Sequence, residues 1–150
     1  MTTRLVDNSV LIPEVAKLIA SGHTVTLTVR GNSMRPFVEG ERDKALLVRP
    51  RTIRVGDPIL ALVDDGRYVL HRVIAVNKEK ITLMGDGNLC GTETCKPDNV
   101  IAHVDAFIRG PHQHSVSTRS VRWRIYSFLW PRHTLSRRIL LALYRRINHL

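Results

Sequence analysis

Short apolar runs at close spacing are the feature that most restricts the fold of this 150-residue chain. In "HTVTLTVRG", Val25, Leu27 and Val29 alternate with polar residues, the pattern of a half-buried strand. Further runs are "KALLVRP", "DPILALVDD", "RYVLHRVIAV", "KITLMGD" and "VIAHVDAFIRG". Turn pairs such as Asp65-Gly66 separate them, and the runs on either side of that pair predict a hairpin. We therefore expect a mainly β fold, a curled antiparallel sheet or partly open barrel, and not βαβ units.

Helical patterns occur only at the two ends of the chain. "IPEVAKLIASG" predicts a short helix, with Pro13 in its first turn and Gly22 closing it. We predict a β domain over residues 1–110, a polar linker "PHQHSVST" over 111–118, and a helical tail over 119–150 that breaks at Pro131. The apolar fraction of 43% is that of a globular protein and argues against disorder.

The charge is concentrated in the tail. The formal net charge is +10, and residues 111–150 contain eight arginines and no acidic residue. The sequence has no apolar stretch of the length of a signal peptide or a membrane span. We expect a cytoplasmic protein or one peripheral to a membrane.

The tail has an apolar stripe that allows three interpretations. Leu135, Ile139, Leu143 and Ile147 recur at a spacing of four, with Arg137, Arg138 and Arg145 largely on the other side. The stripe could pack on the β core, the arginines could bind nucleic acid, or the tail could contact a membrane or a membrane-protein partner. The tail also contains aromatic residues of the kind favoured at a lipid headgroup boundary, namely Trp123, Tyr126, Phe128, Trp130 and Tyr144. They favour membrane or partner contact over nucleic-acid binding, and packing on the core stays as open as membrane contact.

The turn "RGNSMRPFVEG" after the first strand presents a serine among small, turn-forming residues. Ser33 alone would be an ordinary turn residue, but Gly31 and Asn32 permit an unusual backbone path and Pro36 stiffens the exit. Such a turn can present a hydroxyl beside backbone donors, so Ser33 is a candidate nucleophile, with the amides of Ser33 and Met34 as candidate oxyanion donors.

A hydroxyl nucleophile needs a base, and His71 in "GRYVLHRVIAV" is the candidate. A structural histidine is the alternative interpretation. Asp86, in the turn "MGDGN" after the next strand, could accept a hydrogen bond from the imidazole. Arg72 is interpreted as a solvated strand position, and Asp64 with Asp65 as a turn.

Other polar clusters do not indicate a metal or another cofactor, and we expect neither. Cys90 and Cys95, with His103 further on, lack the spacing of a zinc site. Two cysteines in one loop do not form a disulfide framework, although a single local disulfide stays open.

Four segments together resemble the type I signal peptidase and SOS-repressor (LexA-like) serine peptidase superfamily. "GNSMRPFVEGERD" resembles the box around its nucleophile, "IRVGDPILALV" the following strand, "YVLHRVIAV" the segment of the general base, and "MGDGN" the glycine-aspartate box. A histidine in the "HRV" segment is similar to the archaeal and endoplasmic-reticulum signal peptidases, where bacterial enzymes have lysine. The resemblance implies a mostly antiparallel β fold, with Ser33 as nucleophile, His71 as base and Asp86 as acid. The endoplasmic-reticulum type has a further acid after that box, where this chain has Thr92 and Glu93.

The sequence thus predicts a serine endopeptidase that cleaves polypeptides. We expect the substrate to lie extended beside the first strand, at Thr28, Val29, Arg30 and Met34, by β-augmentation. A non-catalytic peptide-binding or regulatory module is the alternative, and autoproteolysis in "PHQHSVST" is a further one.

Overall fold

The computed structural model describes residues 7–130 and 134–148. Three α-helices are present there: α1 (Asn8–Ala20), α2 (Val121–Leu129) and α3 (Thr134–Asn148). A 3-10 turn, Pro97–Asn99, precedes the seventh strand. The strands are β1 (Val25–Thr28), β2 (Lys44–Val48), β3 (Pro58–Leu62), β4 (Tyr68–Val76), β5 (Ile81–Met84), β6 (Glu93–Cys95), β7 (Val100–Arg109) and β8 (His114–Ser117).

All eight strands belong to one antiparallel sheet in the order β1-β2-β7-β3-β4-β5-β6, with β8 on β7. Within the described ranges the outer strands β1 and β6 do not pair with each other, so the sheet is not closed into a barrel. The prediction of a mainly β, antiparallel fold with helices at both ends is confirmed.

The N-terminal helix begins earlier than the sequence pattern predicts. Asp7 caps it, because its carboxylate accepts a hydrogen bond of 2.8 Å from the Ser9 amide. Pro13 therefore lies inside the helix and not in its first turn. Gly22 ends it as expected, with a φ of 94° and its amide bonded to the Ile19 carbonyl. The buried face of α1, Ile12, Val15 and Ile19, packs in the main core cluster.

The hairpin at Asp65-Gly66 joins β3 and β4 as predicted, with Leu62 opposite Tyr68. The Val63 amide donates to the Arg67 carbonyl across the turn. This hairpin fixes the register of β4 and sets His71 opposite Ile59.

The segment expected to be a linker, residues 111–118, contains strand β8. Val116 pairs with Phe107 on β7, and the sheet therefore continues past residue 110. Trp123 on α2 then enters the core, with its ring centroid 4.7 Å from that of Phe37 and 5.4 Å from that of Phe107. The first tail helix is thus attached to the β core through an aromatic cluster.

The second tail helix, α3, contacts the rest of the protein through one polar face. Arg137 and Leu141 are buried and Tyr144 is half-buried, whereas Leu135 and Ile139 are exposed. Within the described residues, no helix is long and apolar enough to cross a membrane. The predicted break at Pro131 lies outside the described residues.

Candidate active site

A groove of about 800 Å³ lies between α1, β1 and β4, and both Ser33 and His71 line it. Glu93, at the start of β6, lines it as well. The nucleophile and base candidates, which are 38 positions apart in the sequence, thus share one solvent-accessible space. That shared space is the first requirement for a catalytic pair.

The turn that carries Ser33 is held by one buried side chain and by backbone hydrogen bonds. The Met34 side chain is only 1% exposed and lies in the main core cluster beside Val38. The Arg35 amide donates to the Asn32 carbonyl, and the Gly87 amide donates to the Ser33 carbonyl at 2.8 Å. Met34 therefore holds the turn in place. Contrary to the prediction from the sequence, its side chain does not line the groove.

Among the described residues β1 pairs with β2 alone, and its other edge lies beside the groove. The Val29 amide donates to the Asp43 carbonyl at 2.8 Å, and the Val29 carbonyl accepts from Glu41 at 2.7 Å, so these groups point toward β2. Because backbone groups alternate along a strand, those of Thr28 and Arg30 point the other way. Of the four residues predicted to bind substrate, Thr28, Val29 and Arg30 line the groove and Met34 does not.

His71 is held by a carboxylate on one side of its ring. Its Nδ1 lies 3.0 Å from Glu93 Oε2, and the residue is only 5% exposed. A carboxylate only accepts hydrogen bonds, so Nδ1 carries the proton and Nε2 is left with its lone pair. Burial lowers the pKa of His71 below its ordinary 6.5, against the opposing influence of the Glu93 carboxylate. His71 is therefore neutral at pH 7 and able to accept a proton.

Gly85 brings the Ser33 turn and His71 together. A methyl group on Gly85 would lie 2.4 Å from the Ser33 carbonyl oxygen and 3.1 Å from His71 Nε2. Both atoms therefore approach the same α-carbon, and Nε2 is the nitrogen that faces this junction. Only a glycine permits an approach this close without moving the backbone.

Within the described residues Asp86 makes no hydrogen bond to His71 and is bound to Arg72 instead, although its charge opposes the lowering of the His71 pKa. Arg72 Nε and Nη2 each lie 2.7 Å from one Asp86 carboxylate oxygen, and the Tyr126 hydroxyl donates to the same carboxylate at 3.0 Å. The predicted hydrogen bond between His71 and Asp86 is therefore replaced by one between His71 and Glu93. Arg72 and Asp86 thus form a bidentate ion pair, in which the guanidinium binds both oxygens of the Asp86 carboxylate.

Arg72 itself is buried, and its interpretation as a solvated strand position is wrong. Helix α2 covers it: the guanidinium carbon lies 4.7 Å from the Trp123 ring centroid and 5.3 Å from that of Tyr126. Arg72 also donates to the Gly56 carbonyl and to the Ser127 hydroxyl. These partners compensate for the burial of its charge.

The Peptidase S24-like family model matches residues 5–104, two thirds of the chain, and its range contains Ser33, His71 and Glu93. The chain belongs to the Peptidase S24-like family. No significant match is found among curated proteins. The S24-like match ends within β7 and includes neither α2 nor α3.

Outside the S24-like range, α3 supplies a residue that holds the site loop. Arg137 is 1% exposed, and its Nη1 donates to the Gly85 carbonyl at 2.8 Å and to the Asn88 carbonyl at 2.9 Å. The Trp130 indole donates to the Asp86 carbonyl between them. The sequence pattern predicts Arg137 on the polar side of α3. The signal that could have indicated its burial is the spacing of four and seven residues that puts Leu141 and Tyr144 on the same face of the helix.

The remaining metal-ligand candidates, Cys90, Cys95 and His103, do not line the groove. Cys90 and Cys95 are free thiols, one exposed and one buried. His103 is buried and bonded to Asp57 and to the Arg51 amide. Within residues 7–130 and 134–148 no group of three or more His, Cys, Asp or Glu side chains could hold a metal ion.

Proposed function

We propose that this S24-like protein is a serine endopeptidase with Ser33 as nucleophile, His71 as general base and Glu93 as the residue that orients His71. The observation that carries the proposal is the hydrogen bond from His71 Nδ1 to Glu93 in the groove that His71 shares with Ser33. A serine, a histidine and a carboxylate in these roles form the arrangement that activates a hydroxyl at neutral pH.

The reaction would proceed in two stages. The Ser33 hydroxyl oxygen attacks the peptide carbonyl while its proton passes to His71 Nε2, and Glu93 stabilises the imidazolium that forms. The tetrahedral intermediate collapses as His71 returns the proton to the leaving amine. Water then attacks the acyl-enzyme carbonyl while His71 accepts its proton. The bond between the acyl carbon and the Ser33 oxygen breaks, His71 returns the proton to that oxygen, and the acyl fragment leaves as a carboxylic acid.

Backbone amides of the Ser33 turn are the proposed oxyanion donors. Within the described residues, neither the Ser33 amide nor the Met34 amide donates a hydrogen bond to another protein group. Neither N–H group is thus committed to another protein acceptor, and fixed donors aimed at a developing negative charge are usually the largest electrostatic contribution to acyl transfer.

The proposed substrate is an extended polypeptide segment that pairs with the free edge of β1. The backbone groups of Thr28 and Arg30 would supply the main-chain hydrogen bonds, and Leu11, Tyr68 and Leu70 would contact alternate substrate side chains. The use of histidine as base favours the archaeal and endoplasmic-reticulum kind of signal peptidase as the functional comparison. Small residues next to the cleaved bond are expected by that analogy.

The test is a comparison of new protein N-termini in the native host between the wild-type protein and Ser33→Ala. The proposal predicts that a discrete set of cleavage sites disappears while the melting temperature of the purified protein stays nearly unchanged. Ser115→Ala, on exposed β8, is the matched control and should retain every site. Identical N-termini in wild type and Ser33→Ala, at equal protein levels, would refute the peptidase proposal.

A peptide-binding module without turnover is the second candidate. It is favoured by one observation: no hydrogen bond joins the Ser33 hydroxyl to His71 in the part of the chain that the structure describes. This candidate predicts equal affinity of wild type and Ser33→Ala for a bound peptide, with no product in either sample.

Cleavage of the chain itself at residues 111–118 is not favoured, because residues 114–117 are paired with β7 and would first have to leave the sheet. The intact mass of the wild-type protein after long incubation, compared with that of Ser33→Ala, tests this directly. Fragments with masses that correspond to a cut within residues 111–118, present in the wild type and missing in Ser33→Ala, would establish autoproteolysis.

A further inference from the structure

Helix α3 presents its apolar stripe away from the protein. Its inward face consists of Arg137, Leu141 and Tyr144, and the Tyr144 hydroxyl donates to Glu39 at 2.9 Å. The opposite face is apolar and solvent-exposed, and it consists of Leu135, Ile139, Leu140, Leu143 and Ile147. A helix that packs on a core normally buries its apolar stripe, and α3 does the reverse.

Helix α2 shows the same orientation. Its inward residues are Trp123, Tyr126 and Ser127, which contact Arg72 and the aromatic cluster. Its outward apolar residues are Val121, Ile125, Phe128 and Leu129, and Phe128 is 89% exposed. Phe128 leaves most of its apolar side chain in water, so its burial against a second surface would be favourable.

The charged residues around these apolar faces all carry one sign of charge. Residues 111–150 contain no acidic residue. Six arginines are exposed on or next to the two helices, and they are Arg119, Arg122, Arg124, Arg138, Arg145 and Arg146. A partner of these faces must therefore accept apolar side chains and supply negative charge.

We propose that the outward faces of α2 and α3 bind the surface of an anionic lipid bilayer. The helices would lie in the interface, with Phe128, Ile139 and Leu143 among the acyl chains and the arginines at the headgroups. This proposal goes beyond the peptidase activity and does not depend on it.

The charge and chemistry of the faces decide against the other partners. A second copy of this chain would bring two tails of eight arginines together without any acidic residue, and like charges oppose such contact. Nucleic acid would satisfy the arginines, but phosphate contacts would leave the exposed leucine, isoleucine and phenylalanine side chains in water.

Lipid binding would also hold the groove at the membrane. Arg137 is bonded to the Gly85–Asn88 loop, and Tyr144 is bonded to Glu39 in the turn that follows Ser33. The bilayer surface is therefore connected to both loops of the candidate active site through α3. A segment emerging from a membrane would be presented at a defined position relative to Ser33.

The experiment measures flotation of the full-length protein with vesicles of phosphatidylcholine alone and of phosphatidylcholine mixed with phosphatidylglycerol. The double variant Phe128→Ser, Ile139→Ser removes two outward apolar side chains. Val10→Ser, Val55→Ser is the matched control, since those valines are exposed elsewhere on the surface. We expect the wild type and the control to bind the mixed vesicles, and the double variant to bind at least about tenfold more weakly.

Several results would overturn the proposal. They are absence of wild-type binding to the mixed vesicles, equal binding to both vesicle types, and unchanged binding of the double variant. A micromolar dimer in analytical ultracentrifugation that the double variant loses would assign the faces to a second copy. Equally tight binding of wild type and double variant to duplex DNA, with no vesicle binding, would assign the arginines to nucleic acid. Thermal melts of each variant establish that it is folded.

Discussion

Two buried histidines lie on opposite sides of the same residue and show what separates a catalytic candidate from a structural residue. His71 on β4 and His103 on β7 are both register partners of Ile59 on the strand between them. Each is at most 5% exposed, and each has a carboxylate close to one ring nitrogen. Burial and an acidic neighbour therefore do not distinguish the two.

The second ring nitrogen does distinguish them. In His103, Nδ1 accepts a hydrogen bond of 3.1 Å from the Arg51 amide while Nε2 lies 3.1 Å from Asp57, so the protein satisfies both nitrogens. In His71, the described residues satisfy Nδ1 alone, and Nε2 faces the junction with the Ser33 turn. A histidine with one fixed nitrogen and one nitrogen available in a groove is arranged for proton transfer.

The largest expected effect is that of His71→Gln, which removes the base and retains an amide that can donate to Glu93. If His71 is the general base, kcat/KM for a cleaved peptide should fall by about 10²–10⁴-fold with a nearly unchanged melting temperature. Initial rates with a peptide identified from the host N-termini measure this. If kcat/KM fell by less than about tenfold, His71 would have a structural role only, like the one inferred for His103.

The second effect is that of Gly85→Ala, which tests the junction and not the base itself. The added methyl group would lie 2.4 Å from the Ser33 carbonyl oxygen and must displace the Ser33 turn relative to His71. A displacement of about 1 Å is expected to cost about 100-fold in kcat. Gly91→Asn is the control, since a Cβ at Gly91 would meet no atom within 4 Å and asparagine tolerates a positive φ. Full activity of Gly85→Ala would show that the two residues do not act together.

The third effect is on stability alone, in His103→Gln. Glutamine replaces the rigid ring by a flexible amide that has no polar atom at the position of Nδ1. It can therefore keep one of the contacts to the Arg51 amide and the Asp57 carboxylate but does not hold both, and the free energy of unfolding should fall by about 1–3 kcal/mol. The value of kcat/KM per folded molecule should stay at the wild-type level. Urea unfolding and initial rates on the same sample provide both values. A large loss of turnover with normal stability would contradict the structural role of His103.

Local sequence patterns were sufficient to predict most strands and the loops of the candidate site. Alternating apolar residues specify a half-buried strand within a few positions, which is why β1 and the β3-β4 hairpin are found where the pattern places them. Strands β6 and β8 are short and mostly polar, "ETC" and "HSVS", and they depend on pairing with β5 and β7. No local signal separates such segments from loops.

The choice between two acids could not be made from local patterns. Asp86 is close to His71 in the chain, but Arg72 binds it, and Arg72 is kept buried by Trp123 and Tyr126 about 50 positions later. Glu93 reaches His71 because β6 pairs with β5, with Glu93 opposite Leu83. Both contacts depend on tertiary structure, and so does the orientation of α3, whose periodicity identifies an apolar stripe but not the side that faces the core.

The smallest effect at neutral pH, and the one that identifies the titrating group, concerns the acid limb of the pH profile. Burial lowers the pKa of His71 below 6.5, so the base stays neutral at pH 7 and kcat/KM should decline only as the pH falls through that lowered pKa. Glu93 raises the pKa of His71 against the effect of burial, and Glu93→Gln should therefore move the acid limb to still lower pH while lowering the plateau. His103→Gln should leave the limb where it is. If the acid limb shifted in His103→Gln and not in Glu93→Gln, His71 would not be the group that controls it. The distinction between the two histidines by their second ring nitrogen would then be wrong.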